Sequence, residues 1–205
     1  MFTGIITDIG RITKTSDEAG GARGFVIETA FDMDDVSIGA SIACAGACLT
    51  VVEKGAGVGG HGWFAALASA ETLSKTTLGT WGLETRVNLE RAMRLGDEFG
   101  GHLVSGHVDG LARIADIQDE GGSKRLTLEV PEALSRYIAP KGSVTVDGVS
   151  LTVNEVKQAR FDVNVIPHTL GATTLGELSV GDSVNLEIDL LARYVARLLD
   201  QPQTR

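Results

Sequence analysis

The sequence predicts an all-β chain of two similar halves followed by one C-terminal helix, and three observations support this. First, the chain repeats itself. Gly46-Ala47-Cys48-Leu49-Thr50-Val51-Val52-Glu53 returns as Gly148-Val149-Ser150-Leu151-Thr152-Val153-Asn154-Glu155. Glu71-Thr72-Leu73-Ser74-Lys75-Thr76-Thr77-Leu78-Gly79 returns as His168-Thr169-Leu170-Gly171-Ala172-Thr173-Thr174-Leu175-Gly176, and Val87-Asn88-Leu89-Glu90 returns unchanged as Val184-Asn185-Leu186-Glu187. Thr3-Gly4 and Arg11-Ile12 are echoed by Ser105-Gly106 and Arg113-Ile114. Second, short runs alternate apolar and polar residues between glycine-rich turns, the pattern of half-buried strands. Third, only the last stretch has helical spacing. A period this long belongs to duplicated domains, since solenoid repeats run from about 20 to 50 residues. Each half of the 205-residue chain is near the lower size for a self-sufficient core.

In chain order, residues 24–29 read as the first clear strand. The turn at Ala45-Gly46 divides two more, the second entering Cys48-Leu49-Thr50-Val51. In the second half, strands are expected at 126–130, 143–146, 149–154, 161–166 and 184–188. Asp147-Gly148 between two of them is a strong two-residue hairpin signal. Many short strands with such turns suggest a small barrel or sandwich in each half. From Asp189 to Leu199, Leu191, Tyr194, Val195, Leu198 and Leu199 fall at helical spacing, with Arg193 and Arg197 on another side. Such a helix either packs on its own domain or joins a partner; the pattern leaves both open.

Composition narrows the function classes. Charged residues are 22% and hydrophobic residues 43%, which is globular rather than disordered material. A net charge of -9 without a Lys/Arg run repels polyanions, so nucleic acid is not an expected partner. The first residues lack the basic and apolar regions of a signal peptide, and no apolar run is long enough to span a bilayer. Cys44 and Cys48 are too close to make a useful staple, so a cytoplasmic location, away from membranes, is expected.

Gly57-Val58-Gly59-Gly60-His61-Gly62 fits a dinucleotide-binding fingerprint, with Glu84 as a ribose partner. That motif needs strand, turn and helix, and the repeat supplies a different context. Glu53 matches Glu155 and Glu71 matches His168, so five extra residues fall here in the first half, where the second half has a hairpin near 157–160. An extended glycine-rich turn is the better reading. Metal binding is equally weak: with His61, His102, His107, His168 and two cysteines, no compact four-ligand spacing exists. The repeated strands carry more. If Val149, Leu151 and Val153 face a core, Ser150, Thr152 and Asn154 face outward, as Cys48 and Thr50 do in the first half. That face is either a wetted barrel surface or a binding face present twice. At the join, Gly100-Gly101-His102 and Ser105-Gly106-His107 combine glycines, which allow close backbone approach, with histidines suited to proton transfer near neutral pH. A free thiol is mostly protonated near neutral pH, so a nucleophilic Cys48 would need activation.

These residues, together with Met1-Phe2-Thr3-Gly4-Ile5-Ile6, Asn88-Leu89-Glu90-Arg91-Ala92 and Asp147-Gly148-Val149-Ser150-Leu151-Thr152-Val153, resemble the riboflavin synthases of the α-chain type along the whole chain. The resemblance implies two six-stranded Greek-key β-barrels, at 1–97 and 98–188, and a helix at 189–205 through which three chains associate. It implies a transferase reaction without metal or redox cofactor. Two 6,7-dimethyl-8-ribityllumazine molecules dismutate, one giving four carbons to the other, to form riboflavin and 5-amino-6-ribitylaminouracil. Sites lie between the N-terminal barrel of one chain and the C-terminal barrel of the next, and association with lumazine synthase is a further implied partnership.

Position by position, the resemblance implies Cys48, His102, Ser150 and Phe2 as catalytic. Gly4, Ser41, Thr50, Thr72, Ser105, Gly106, Lys141, Ser143, Asp147, Thr152, Ile166, Thr169 and Asp189 are implied as substrate-binding. The lumazine 7-methyl group is acidic enough for a base such as His102, and Cys48, Ser150 or water would add at C7 of the partner ring. Ala45 stands where the family often has asparagine, and Ala65-Ala66 follow Phe64 where a sequence like Phe161-Asp162-Val163 is common. The competing reading is a non-catalytic lumazine- or flavin-holding protein of the same duplicated fold.

Overall fold

The computed structural model describes residues 1–57 and 60–200. The first half contains β1 (Asp8–Asp17), β2 (Arg23–Thr29), β3 (Ser41–Cys44), β4 (Ala47–Ala56), β5 (Gly62–Ala68) and β6 (Arg86–Arg91). The second contains β7 (Gly110–Glu120), β8 (Ser123–Glu129), β9 (Ser143–Val146), β10 (Val149–Lys157), β11 (Arg160–Val165) and β12 (Ser183–Ile188). Each set closes into an antiparallel barrel, in the order β1-β2-β5-β4-β3-β6 and, read round the circle, β7-β8-β11-β10-β9-β12. The last strand of each returns to pair with the first, which makes a Greek key and leaves no open edge. Both barrels use bulges at matching places, between Ile12 and Lys14 and between Ile114 and Asp116, and again after Val51 and after Val153. Bulges bend strands, as tight closure requires.

The inward positions are those the alternation marks. Ile12, Ile27, Ile42, Leu49, Val51, Phe64 and Leu89 fill one barrel; Ile114, Leu128, Val144, Leu151, Val153, Phe161 and Leu186 fill the other. Each such side chain contributes roughly 1.5–3 kcal/mol by leaving water. The glycine-rich stretch at Gly57 and Gly62 lies where β4 turns into β5, not between a strand and a helix. Val58 and Gly59 within it are outside the described residues.

Short helices follow β5 and β11: α1 (Ala70–Lys75) and α3 (Pro167–Ala172). The repeated Thr-Thr-Leu-Gly segment ends each one. The Thr76 hydroxyl donates to the Thr72 carbonyl and accepts from the Leu78 N–H, and Thr173 does the same with Thr169 and Leu175. The second half adds α2 (Glu132–Ser135), and the chain continues into α4 (Leu190–Leu199), capped by the Asp189 side chain on the Leu191 N–H. Among the described residues no helix is long and apolar enough to cross a membrane.

The repeated Val-Asn-Leu-Glu run explains how the barrels join. Its Val and Leu face the cores, yet Asn88, Glu90, Asn185 and Glu187 on the outer face are also buried. The asparagines form a reciprocal latch. Asn88 donates to the Asp147 carbonyl and accepts from the Thr174 N–H; Asn185 donates to the Ala45 carbonyl and accepts from the Thr77 N–H. Between them the two hairpin turns meet back to back. Gly46 (φ +80°) and Gly148 (φ +83°) are so close that a Cβ on Gly46 would lie 2.9 Å from the Gly148 nitrogen. Glycine is required there by conformation and by space.

Asn88→Ala strips partners from two backbone groups, the buried Asp147 carbonyl and the part-buried Thr174 N–H. Leaving each unsatisfied costs about 1–3 kcal/mol, so a loss of roughly 2–4 kcal/mol is expected in urea unfolding. An unchanged midpoint would remove the latch from the stability of the molecule.

Candidate functional site

The leader of each half is pinned in the same way. Phe2 and Val104 form a two-way backbone bridge, at 2.8 and 3.1 Å. The Glu90 carboxylate then accepts from the Thr3 N–H (2.7 Å), the Thr3 hydroxyl (2.8 Å) and the Gly4 N–H (2.9 Å). Glu187 accepts from the Ser105 N–H (2.7 Å), the Ser105 hydroxyl (2.6 Å) and the Gly106 N–H (2.9 Å). Burial pushes both carboxyl groups above the usual range, and the leader donors oppose that shift. Each leader then crosses over: the Gly4 carbonyl accepts from the Ser150 N–H of the second barrel, and the Gly106 carbonyl from the Cys48 N–H of the first, both at 2.8 Å.

The outward faces of the two hairpins carry the repeated polar residues. On β3 and β4, Ser41 lies opposite Thr50 and Ala43 opposite Cys48; on β9 and β10, Ser143 lies opposite Thr152 and Thr145 opposite Ser150. Thr50 and Thr152 are exposed, Cys48 and Ser150 half-buried, so both faces are open in the single chain. Cys44, by contrast, points into the first barrel, where burial pushes its thiol far up and keeps it protonated.

The faces match in backbone and differ in chemistry. In the first, Cys48 packs with Ala92 against a cluster of Phe2, Ala43 and Val104. In the second, Ser150 and Thr145 replace Cys48 and Ala43, and Asp189 stands where the repeat puts Ala92. His102 completes this set, with Nδ1 2.7 Å from the Ser150 hydroxyl and Nε2 3.2 Å from that of Thr145. Burial lowers the His102 pKa below the ordinary histidine value, and the charge of Asp189 raises it part of the way back. A neutral imidazole bonded to a serine hydroxyl can take or return a proton at neutral pH.

The structure thus brings His102, Ser150 and Asp189 together on one face, and Cys48 with Phe2 on the other. Thr72 and Thr169 sit on α1 and α3, and Ile166, 54% exposed, caps the start of α3. Lys141 is exposed in a left-handed conformation (φ +67°) just before β9, and its N–H donates to Val153. Asp147 stands apart: it belongs to the turn at the barrel–barrel contact, where its carboxylate accepts from the Asn185 N–H. Thr145, Ala43, Glu90 and Glu187 join the residues expected from sequence, and the identical Val-Asn-Leu-Glu runs are the sequence signal for the two glutamates. A cleft of about 650 Å³ beside Ile5, Phe31 and Met93 adjoins the first leader, with Thr3, Glu90 and Ala92 in its lining, and another of about 730 Å³ lies between the barrels at Asp147 and Trp81.

Burial pushes the Asp147 carboxyl up to about 7 from its ordinary 3.8. The unfolded chain ionises first, so this group withholds stability progressively as pH rises from about 4 to about 7. The gap corresponds to at most roughly 4 kcal/mol. Asp147→Asn keeps the acceptor and tolerates the left-handed turn. Its Tm advantage over the parent is therefore expected to be small near pH 4 and largest above pH 7; a difference independent of pH would contradict the assignment.

Compared with known proteins, the chain matches the lumazine binding domain family twice, over residues 3–92 and 105–189. It is 53% identical to a riboflavin synthase of Brucella abortus (strain 2308), over 97% of this chain and 98% of that protein. It is 42% identical to a riboflavin synthase of Photobacterium phosphoreum, over 100% and 93%. Among solved structures, LumP complexed with riboflavin superposes with a TM-score of 0.78 at 26% identity, and LumP complexed with 6,7-dimethyl-8-(1'-D-ribityl) lumazine with 0.76 at 25%. Each covers 92% of this chain and 99% of that one.

Proposed function

The chain belongs to the riboflavin synthase family, and from that premise we propose how its two barrels divide the work of dismutating 6,7-dimethyl-8-ribityllumazine. The four carbons lost by one molecule are gained by the other, so two identical substrates account for both products. What the reaction demands is two like sites with unlike chemistry. The observation that carries the reading is the pair of matched hairpin faces, one bearing Cys48 among Phe2 and alanines, the other bearing the His102–Ser150 pair beside Asp189. His102 takes a proton from the 7-methyl group of one lumazine and returns it later. Ser150 and Cys48 are the side chains offered to add at C7 of the other, with water as the third candidate.

Thr50, Ser41 and Thr72 on one barrel, and Thr152, Ser143, Thr169, Ile166 and Lys141 on the other, form the rims that hold ring and ribityl chain. Ser105 and the backbone at Gly4 and Gly106 form the floors. The open faces and the exposed apolar side of α4 favour sites shared between neighbouring chains of a trimer, with domains at 1–97, 98–188 and 189–205; residues 201–205 are outside the described residues. A cytoplasmic enzyme, with association to the enzyme that supplies lumazine, completes the reading.

Purified protein incubated with 6,7-dimethyl-8-ribityllumazine alone is expected to develop flavin absorbance. Tight binding with no flavin formed would replace this reading with chromophore holding, the role suggested by the LumP complexes. The polar residues retained on both faces favour turnover.

A further inference from the structure

Both leader-binding carboxylates are buried, Glu90 at 5% and Glu187 at 2% exposure, and among the described residues neither has a cationic partner. A buried carboxylate without an ion pair is a costly way to staple a chain. Three donors in each case repay that cost with charge-assisted bonds. What they hold is informative. Glu90 fixes the Thr3–Gly4 peptides, and the next two carbonyls hold the second barrel's chemistry: Thr3 O accepts from the His102 N–H (3.1 Å) and Gly4 O from the Ser150 N–H (2.8 Å). Glu187 fixes Ser105–Gly106, and Gly106 O accepts from the Cys48 N–H (2.8 Å). The fit is tight. A Cβ on Gly4 would lie 2.6 Å from the Ser150 Cβ, and one on Gly106 2.6 Å from the Cys48 Cβ.

We propose that Glu90 and Glu187 are positioning residues wired crosswise: Glu90, on the first barrel, sets the His102–Ser150 pair on the second, and Glu187, on the second, sets Cys48 on the first. The wiring rests on geometry; its consequence for turnover rests on the function proposed above. It gives each barrel a direct mechanical hold on the other's reactive strand, so the two half-sites of one chain are aligned together.

The test uses Glu90→Gln and Glu187→Gln in the full chain, with two readouts that do not need turnover. Iodoacetamide labelling followed by mass spectrometry reports Cys48, since Cys44 is enclosed in the barrel. An NMR titration of the imidazole reports His102. Burial and the charge of Asp189 set the His102 titration, so the shift in E90Q is read beside Thr3→Val, which loosens the leader and keeps the Glu90 carboxylate. E187Q is expected to change the Cys48 labelling rate at least about fivefold and leave the His102 titration in place. E90Q is expected to shift the His102 titration and leave Cys48 labelling within about twofold. An uncrossed pattern, equal effects on both readouts, or no effect overturns the proposal. If either Gln variant fails to fold, Thr3→Val and Ser105→Ala remove one donor each and must reproduce the same crossed pattern. Crossed readouts in a protein that makes no flavin would sink the function and leave the wiring; flavin formation without the crossing would do the reverse.

Discussion

His102→Gln is expected to lower kcat by roughly 10²–10⁴-fold, the range associated with a lost general acid–base group, while KM for the lumazine stays within a few-fold. The imidazole touches Ser150 and Thr145, and the proposed binding groups are the rim residues of the two faces, so its removal is expected to act on proton transfer more than on affinity. The pH profile adds an independent check. Burial holds the His102 pKa below the ordinary histidine value, so the acid limb of kcat/KM should lie below that range. Asp189 opposes the shift, so Asp189→Asn should move the limb to still lower pH. The stability sign agrees: a histidine buried neutral supports folding above its unfolded pKa and loses that support as pH falls. A parental kcat in His102→Gln would remove His102 from catalysis, and an acid limb unmoved by Asp189→Asn would break the electrostatic link.

Much of the fold is legible because the chain states it twice. Alternation around Leu151 and Val153 gives the inward face, Asp147-Gly148 gives the hairpin, and the repeat transfers both to Leu49, Val51 and Ala45-Gly46. Strand ends move by up to three residues, since a ladder stops where its partner stops, as at Ser123 and Lys157. The one-and-a-half-turn helices α1 and α3 carry too few residues for a period and rest on side-chain caps at Ser69, Thr76 and Thr173. The site is legible as residue types on an outward face, but its wiring is not. Asn185 reaches Ala45 across 140 positions, and Glu187 reaches Ser105 across 82, and spacing along a chain carries no sign of such contacts. Asp147 shows how a turn decides placement: it follows Val146 in sequence, but its carboxylate accepts from the Asn185 N–H of its own barrel and its carbonyl from the Asn88 side chain of the other, at the contact between the barrels.

Deleting the chain from Ala192 onward is expected to give a monomer whose turnover falls roughly 10²-fold or more, because holding two rings in register supplies at least that much acceleration. The helix α4 has only ten residues, a length at which helices are marginal in water without packing. Yet its own chain holds it by polar contacts: the Asp189 cap, Arg193 to Asp109 at 2.7 Å and Arg136 to Asp200 at 3.0 Å. None of its residues is buried, and Leu191, Tyr194, Val195, Leu198 and Leu199 are 56–78% exposed. Covering such side chains yields roughly 1.5–3 kcal/mol each, enough for five of them to hold chains together. Arg193→Ala separates the two roles of the helix, since it cuts the tether to Asp109 and keeps the apolar stripe, and it should still sediment as an oligomer. Leu198→Asp keeps the tether and spoils the stripe, and should behave like the deletion. The open faces of the single chain make the functional consequence specific: a monomer should still bind lumazine, since each face is intact, but should not align two. Retained binding with lost turnover in the monomer is therefore the expected signature, and a monomer of undiminished activity would refute a site shared between chains.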